Sequence, residues 1–264
     1  MEPNPLKQAI SRGGLVVGHC VMEFCLPGIA RIVQPAAPDF VLFDLEHTRH
    51  SLETLGPLFL ACRATGLVPL VRVPGPQGHF IPRCLDQGAL GVMMPNVETA
   101  EAARAFVAAA KYPPEGRRGL GLLGAHTGYS APDPAAYARW ANEQIVLIAQ
   151  IESVAGVANV AEIVGTPGID VAWVGHNDLS LSMGIVGQYE DERYISALRR
   201  VAEACRQAGK GAGIQPGSLS LAKRWLALGY NVLSFSIDIA VYQRALTESL
   251  AAVRALGAGA ARRS

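Results

Sequence analysis

Four segments of this chain end in side chains that are suited to acid–base or metal chemistry. A mostly apolar run leads into the sequence "FDLEHTRHS", which places Asp44, Glu46 and His47 close together. Three later apolar runs end in the same way, and their polar residues are Arg72, then Gln150 and Glu152, then His176, Asn177 and Asp178. One such ending is expected wherever a strand leaves a core, but four that converge predict a functional site.

These residue types favour enolate chemistry assisted by a divalent cation. Two carboxylates with few other candidate ligands suit Mg²⁺ or Mn²⁺, which keep positions open for water and a chelating substrate. Such a cation stabilises the charge that develops on the 2-oxo oxygen of an α-keto acid, and a guanidinium beside that oxygen adds to the effect. A histidine oriented by an aspartate can move the remaining proton. No lysine lies at the end of a predicted strand, which argues against a Schiff-base mechanism.

Each residue also has a structural interpretation that the sequence leaves open. Arg72 could pair with a neighbouring carboxylate, and Glu152 is one candidate because a carboxylate inside a core is costly unless it is paired. Asp178, which precedes "LS", could cap a short helix. Three other histidines have no convergent partners and are predicted as surface or packing residues: His19, His50 and His79.

The elements that must position these residues alternate regularly along the chain. Eight short apolar runs predict strands at Leu15–Met22, Phe40–Leu45, Val68–Val73, Leu90–Met94, Ile145–Ile151, Asp170–Val174, Gly211–Ile214 and Val232–Ser236. The segments between them predict helices at Ile29–Gln34, Leu52–Thr65, Phe80–Gln87, Thr99–Lys111, Val157–Val164, Glu192–Ala208, Leu219–Leu228 and Ile239–Leu256.

Eight such strand–helix units predict a single (β/α)8 TIM barrel over residues 1–264, with a flexible tail at 257–264. In this fold the carboxyl ends of the strands form the active-site rim, which is where the polar residues fall. A doubly wound sheet is disfavoured because no phosphate-binding turn follows the first strand. The GxGxxG match at 119–124 follows a turn-rich loop instead of a strand.

The composition excludes several classes of partner. The formal net charge is +1 and no run of Lys or Arg exceeds two residues, so nucleic acid and anionic membranes are not expected partners. No apolar stretch approaches the roughly 20 residues of a membrane span, and the residues after Met1 do not resemble a secretory signal. The five cysteines show no CxxC spacing and predict reduced thiols in a cytoplasmic protein.

Six motifs of the chain resemble those of a known family in order and spacing. They are "FDLEHTRHS", "PLVRVPG", "GVMMPNVETAEAA", "KYPPEGRRG", "AQIESVAGVANV" and "VGHNDLSLSMG". The family is the class II pyruvate aldolases, also called the HpcH/HpaI family, which includes 2,4-dihydroxyhept-2-ene-1,7-dioate and 5-keto-4-deoxyglucarate aldolases. The resemblance covers residues 5–250.

The resemblance implies a metal-dependent barrel assembled as a trimer or hexamer, with C-terminal helices exchanged between subunits. Glu152 and Asp178 would hold Mg²⁺ or Mn²⁺, with Co²⁺ or Zn²⁺ as alternatives. Arg72 would contact the enolate and aldehyde oxygens, and His47 with Asp44 would form the acid–base dyad. The remaining family positions are Gln150, near the metal, and the backbone around Asn177 and Asp178, which would receive the substrate carboxylate.

Three departures from the family pattern fall around the aldehyde side of the expected site. Glu23 stands where an aromatic residue is common, and His176 replaces a proline. The loop "LGLLGAHTGYS" brings in His126. We therefore expect Glu23, His126 and His176 to take part in substrate binding and to select the aldehyde.

The predicted function is reversible cleavage of a 4-hydroxy-2-oxo acid to pyruvate, or a related 2-oxo acid, and an aldehyde. Such a lyase would serve the catabolism of aromatic compounds or sugar acids, and oxaloacetate decarboxylation would be a side activity. A lyase for malyl- or citramalyl-CoA is one alternative, although no Arg/Lys cluster suits a nucleotide. A catalytically silent metabolite-binding barrel is the other.

Overall fold

Eight parallel strands close into a barrel in the computed structural model, which describes residues 2–76 and 79–261. The strands are β1 (Val16–Val21), β2 (Val41–Asp44), β3 (Pro69–Arg72), β4 (Gly91–Met94), β5 (Val146–Ile151), β6 (Val171–Val174), β7 (Gly211–Ile214) and β8 (Val232–Ile237). They pair in sequence order, and β8 closes the sheet against β1. The predicted (β/α)8 barrel and all eight predicted strands are confirmed.

Twelve α-helices surround the strands in the described part of the chain. They are α1 (Pro5–Ser11), α2 (Ile29–Val33), α3 (Leu52–Ala64), α4 (Phe80–Asp86), α5 (Ala100–Ala110), α6 (Pro134–Gln144), α7 (Val154–Ala158), α8 (Val160–Val164), α9 (His176–Ser182), α10 (Glu192–Ala208), α11 (Leu219–Ala227) and α12 (Asp238–Ala261). None of them has the length and apolar character needed to cross a membrane.

Seven of the eight predicted helices are present, the eighth is divided in two, and the sequence interpretation missed three others. Helices α1, α6 and α9 were not predicted, and the helix predicted at Val157–Val164 is replaced by α7 and α8, which meet at Asn159. Helix α6 carries a signal that was available, because Asp133 accepts a hydrogen bond from the Ala136 amide at 2.8 Å and Pro134 stands at the first position. Helix α12 runs through Ala261 and so includes part of the predicted tail at 257–264; residues 262–264 lie outside the described range.

The strands bury both faces, which is why they read as apolar runs instead of alternating ones. The inward faces pack around Phe40 and Trp173, whose rings stand 6.5 Å apart, and the outward faces pack against the helices. Gly18 on β1 is required for this packing, since a Cβ atom there would collide with the Phe40 ring.

Helix α1 closes the amino-terminal end of the barrel. Its Leu6 and Ile10 join the interior cluster, and Lys7 Nζ lies 2.7 Å from Asp170 Oδ1. The Asn4 side chain adds hydrogen bonds to the carbonyls of Leu90 and Gln144. With this end closed, the carboxyl ends of the strands form the barrel's open mouth.

Candidate active site

A cavity of about 360 Å³ opens at the carboxyl ends of the strands. It is lined by six of the residues predicted for the site: His47, Arg72, Gln150, His176, Asn177 and Asp178. Two further predicted residues, Asp44 and Glu152, stand directly behind this lining. Asp44 bonds to Arg72, and Glu152 bonds to Gln150. Eight of the ten predicted side chains therefore line this cavity or bond to a residue that lines it.

Asp44 and Arg72 form a bidentate ion pair across neighbouring strands. They are directly opposed in the β2–β3 register, and Arg72 Nε and Nη2 donate to the two carboxylate oxygens at 2.7 and 2.9 Å. Burial raises the pKa of Asp44, but the hydrogen bonds and charge of Arg72, together with two backbone amides, outweigh burial and hold this pKa below its usual value. Among the described residues Arg72 makes no ion pair with Glu152, the carboxylate suggested as its partner from the sequence.

The expected pairing of Asp44 with the His47 imidazole is corrected by the structure. The Asp44 carboxylate accepts hydrogen bonds from the backbone amides of Glu46 and His47, at 3.0 and 3.1 Å, and so fixes the turn that follows β2. The carboxylate nearest the imidazole is that of Glu46, whose Oε2 lies 3.7 Å from His47 Nε2. The imidazole itself remains open to the cavity, with the side chain 55% exposed.

Glu46 stands between the guanidinium and the imidazole. Its Oε2 lies 3.1 Å from Arg72 Nη1 but takes no hydrogen bond within the described residues, although the atom is buried. Burial raises the pKa of Glu46, and the nearby charge of Glu152 raises it further against the opposing effect of Arg72. The sequence places Glu46 close to Asp44 and His47 but does not show that it stands between Arg72 and His47.

Glu152 is buried beside Gln150 at the end of β5. One carboxylate oxygen accepts the Asn96 amide at 2.7 Å, and the other accepts the Gln150 side-chain amide. Burial raises the pKa of Glu152 and Asp178 adds to the rise, although the two hydrogen bonds oppose it. Gly175 is needed here because a Cβ atom on it would occupy the space that the Glu152 carboxylate fills.

Asp178 lies in the first turn of α9, where a negative charge is favourable. It does not cap the helix, since Gly175 holds the N-cap position and no side chain accepts a capping hydrogen bond. The suggested capping role is therefore wrong, and the carboxylate is exposed to the cavity.

The carboxylates of Glu152 and Asp178 are the ligands that a cation would find at this rim. Within residues 2–76 and 79–261, no three or more His, Cys, Asp or Glu side chains are grouped as metal ligands. The charge of Asp178 raises the pKa of Glu152, and a cation between them would relieve that repulsion. The residues present thus fit a hard cation with two protein carboxylates and several positions for water and substrate.

His176 and Asn177 form a polar and aromatic side of the cavity. The His176 ring packs 5.7 Å from the Tyr189 ring and 5.9 Å from the Trp225 ring, measured between centroids. Burial lowers the pKa of His176 to about 4, against the opposing charge of Asp178. The Tyr189 hydroxyl donates to the Asn177 side chain, which orients that amide.

Glu23 and His126 lie outside the cavity. Glu23 lines a separate surface groove, where it pairs with the exposed Arg49 at 3.0 Å. His126 is at the amino-terminal end of the barrel, because its loop folds back onto α4 and the imidazole contacts the carbonyls of Asp86 and Gly121. The expectation that His126 contributes to this chain's own cavity is therefore wrong.

Several lining residues were missed by sequence reasoning. Gln215 follows β7 in the sequence "GIQPG", so the strand-end rule that found Glu152 would also have found it. Other missed residues are small or apolar and carry no chemical signal in the sequence, among them Cys20, Met22, Ser236, Ile237 and Ala240.

Comparison with known proteins gives one consistent result. The model of the HpcH/HpaI aldolase/citrate lyase family matches residues 25–242. The chain is 36% identical to the hydroxypyruvate/pyruvate aldolase of Delftia acidovorans, covering 97% of this chain and 94% of the relative. It is 32% identical to the 5-keto-4-deoxy-D-glucarate aldolase of Klebsiella pneumoniae, covering 94% of this chain and 96% of that protein. Among solved structures, an HpcH/HpaI aldolase from Desulfitobacterium hafniense superposes with a TM-score of 0.89 at 31% identity, covering 94% of this chain and 96% of the other.

Proposed function

Because the chain belongs to the HpcH/HpaI aldolase/citrate lyase family, we propose that this aldolase cleaves 4-hydroxy-2-oxo acids reversibly to pyruvate, or a related 2-oxo acid, and an aldehyde. The observation that carries the proposal is the arrangement of the rim. A fixed guanidinium, two neighbouring carboxylates and an accessible imidazole all border or support one cavity of about 360 Å³.

Glu152 and Asp178 are the residues that would hold a divalent cation, with Mg²⁺ or Mn²⁺ preferred over Co²⁺ or Zn²⁺. Such a cation, when bound, supplies positive charge that polarises the 2-oxo group of the substrate. Gln150 contributes by orienting the Glu152 carboxylate through its amide. The backbone around Asn177 and Asp178 is proposed to receive the substrate carboxylate.

Arg72 is proposed to stabilise the oxygen on which negative charge develops. Asp44 holds two of its nitrogens and Glu46 lies beside the third, so the guanidinium is fixed before the substrate arrives. A positioned donor of this kind is more effective than a mobile one, because no reorganisation is needed during the reaction.

His47 is proposed to transfer the protons. In the cleavage direction it accepts the proton of the C4 hydroxyl while the C3–C4 bond breaks, and the bonding electrons pass to the C2–C3 unit to give the enolate. The aldehyde leaves, and C3 then takes the proton from the protonated His47 imidazole to form the methyl group of pyruvate. The Glu46 carboxylate lies 3.7 Å from the His47 imidazole and stabilises the protonated imidazole between these steps.

The test is pyruvate release from a panel of 4-hydroxy-2-oxo acids with Mg²⁺ or Mn²⁺, coupled to lactate dehydrogenase. Glu152→Gln is the matched variant, because it keeps the shape of the side chain and removes its charge. We expect this variant to lose both Mn²⁺ binding, measured by calorimetry, and turnover. An enzyme that binds Mn²⁺ but releases no pyruvate from any member of the panel would contradict the proposal and favour a silent metabolite-binding barrel.

We also propose that the protein forms a homo-oligomer, a trimer or hexamer, through exchange of α12. This helix presents an exposed apolar stripe at helical spacing, formed by Tyr242, Leu246, Leu250, Val253 and Leu256. Exposed stripes of this length mark contact surfaces, and a second copy of the chain would cover this one. A cytoplasmic location agrees with the five free thiols.

A further inference from the structure

The cavity has two unlike sides. The side formed by β3, β5 and β6 carries the polar residues Arg72, Gln150, Asn177 and Asp178. The other side, formed by β1, β8 and the first turn of α12, is lined by Cys20, Met22, Ile237 and Ala240, which we call the acceptor wall. In a closed barrel of eight strands β1 stands four strands from β5, so the acceptor wall faces the Glu152 carboxylate across the mouth.

This geometry assigns the two halves of the reaction to different sides. A 2-oxo acid held beside Glu152 and Asp178 directs its C3 carbon towards the centre of the mouth. The aldehyde must approach C3 from the free side, and its substituent then lies against the acceptor wall. Within the described residues, the polar side chains that line the cavity on this side are Gln215, which follows β7, and Ser236 on β8, and the Gln215 amide already donates to the Ser236 carbonyl at 3.3 Å.

The charges at the cavity disfavour an anionic aldehyde. Arg72 is the one lysine or arginine that lines the cavity within the described residues, and it is already paired with Asp44 and Glu46. A terminal carboxylate on the aldehyde would meet no free cation on the acceptor wall and would add to the negative charge at the rim. Like charges brought together in this way disfavour recognition.

The acceptor wall is held in place by one buried carboxylate. Asp238, 4% exposed, accepts hydrogen bonds from the backbone amides of Met22, Glu23 and Phe24 at 3.1, 2.9 and 2.8 Å. It also accepts the amide of Ile239 at 2.9 Å. A carboxylate that takes four amides fixes the loop after β1 against the start of α12.

Two other contacts hold the same loop. The Nε2 atom of His50 lies 2.8 Å from the Met22 carbonyl oxygen, and the ring of Phe24 packs edge-on against Tyr242 with centroids 5.6 Å apart. The Met22 backbone is therefore held from the segment after β2 and from the start of α12, and the Met22 side chain lines the cavity.

We propose that the acceptor wall binds the apolar body of an uncharged aldehyde, and that Asp238 is the positioning residue that sets this wall. The proposal rests on the aldolase function above, and it adds the class of acceptor that the enzyme prefers.

The first experiment compares two acceptors of equal chain length in aldol addition to pyruvate. Butanal and 4-oxobutanoate differ in the terminal carboxylate, and we expect kcat/KM to favour butanal by about tenfold or more. A preference for 4-oxobutanoate, or equal rates, would overturn the proposal. Exchange of the pyruvate methyl protons in D2O is measured alongside, since it needs only the 2-oxo acid half of the site. A wild-type enzyme that shows neither exchange nor addition would contradict the aldolase function itself.

The second experiment tests Asp238 with Asp238→Asn, in which one accepting oxygen becomes an NH2 group that faces two amides. We expect KM for butanal to rise about tenfold with methyl exchange kept within about twofold, because only the acceptor wall moves. Equal loss of both activities, or loss of neither, would contradict a positioning role. Asp39→Asn is the matched control, since Asp39 accepts the Val17 amide at 2.7 Å at the opposite end of β1.

Met22→Lys tests the wall without disturbing Asp238. The new ammonium group at the cavity edge should reverse the preference, so that 4-oxobutanoate becomes the better acceptor while methyl exchange continues. An unchanged preference for butanal in a folded variant that still exchanges would show that Met22 does not border the acceptor.

Discussion

Asp44→Asn separates two roles that a carboxylate at this position could have. In the structure Asp44 is fully buried and fixes Arg72 through two charge-assisted hydrogen bonds, while two backbone amides complete its contacts. An asparagine keeps the volume, but it replaces one accepting oxygen with a donor that faces either the guanidinium or an amide. Of the ionic partners that Arg72 has among the described residues, Glu46 then remains.

Removing one partner of a buried ion pair typically costs about 3–5 kcal/mol. Because an asparagine still offers one acceptor, we take the lower end, about 3 kcal/mol, which lowers Tm by roughly 6–12 °C in a chain of this size. The released guanidinium no longer has a fixed position, so kcat/KM should also fall about a hundredfold.

The pH dependence gives a second check. The pKa of Asp44 is lowered in the folded protein, so its contribution to stability is present above the unfolded pKa of about 3.9 and is lost as the pH falls through the folded value. The difference in the free energy of unfolding between wild type and Asp44→Asn should therefore be constant near neutral pH and shrink below about pH 4.

The assay is denaturant unfolding followed by circular dichroism at several pH values, with kinetics at neutral pH. Asp133→Asn is the control, because Asp133 caps α6 far from the cavity and asparagine caps a helix equally well. A variant that keeps its Tm within about 2 °C and loses only kcat would refute this reasoning, since the carboxylate would then act on the His47 imidazole and not as the anchor of Arg72.

Three further predictions concern other parts of the molecule. Gly175→Ala should displace the Glu152 carboxylate, and calorimetry should show at least about tenfold weaker Mn²⁺ binding in a protein that remains folded. Leu246→Lys should shift sedimentation towards the monomer without changing the circular dichroism spectrum, because Leu246 lies on the exposed stripe of α12. Asn142→Ala should destabilise the fold by about 1–3 kcal/mol in denaturant unfolding, because it removes the acceptor that lies 2.8 Å from the Tyr112 amide and one of two donors to the Tyr112 carbonyl, which keeps the Gly116 amide.

The sequence by itself determined the barrel and the composition of its rim. Parallel strands buried on both faces must be nearly continuous apolar runs, and such runs can be read without knowledge of their neighbours. Their carboxyl ends meet at one face of the fold, so the polar residues that follow them are brought together whatever the details of packing. That rule found Arg72, Glu152 and Asp178, and it would have found Gln215 as well.

The tertiary structure alone decided which of these side chains bond to one another. The β2–β3 register places Asp44 opposite Arg72. The Asp44 carboxylate, which was expected to orient the His47 imidazole, therefore binds the Arg72 guanidinium. Loop direction placed His126 at the far end of the barrel, because the segment after α5 folds back onto α4. Asp238 contacts Met22 although 216 positions separate them in the sequence, and this contact exists because β8 closes the barrel against β1. Register, loop direction and closure depend on the packing of the whole barrel, and no local pattern of residues encodes them.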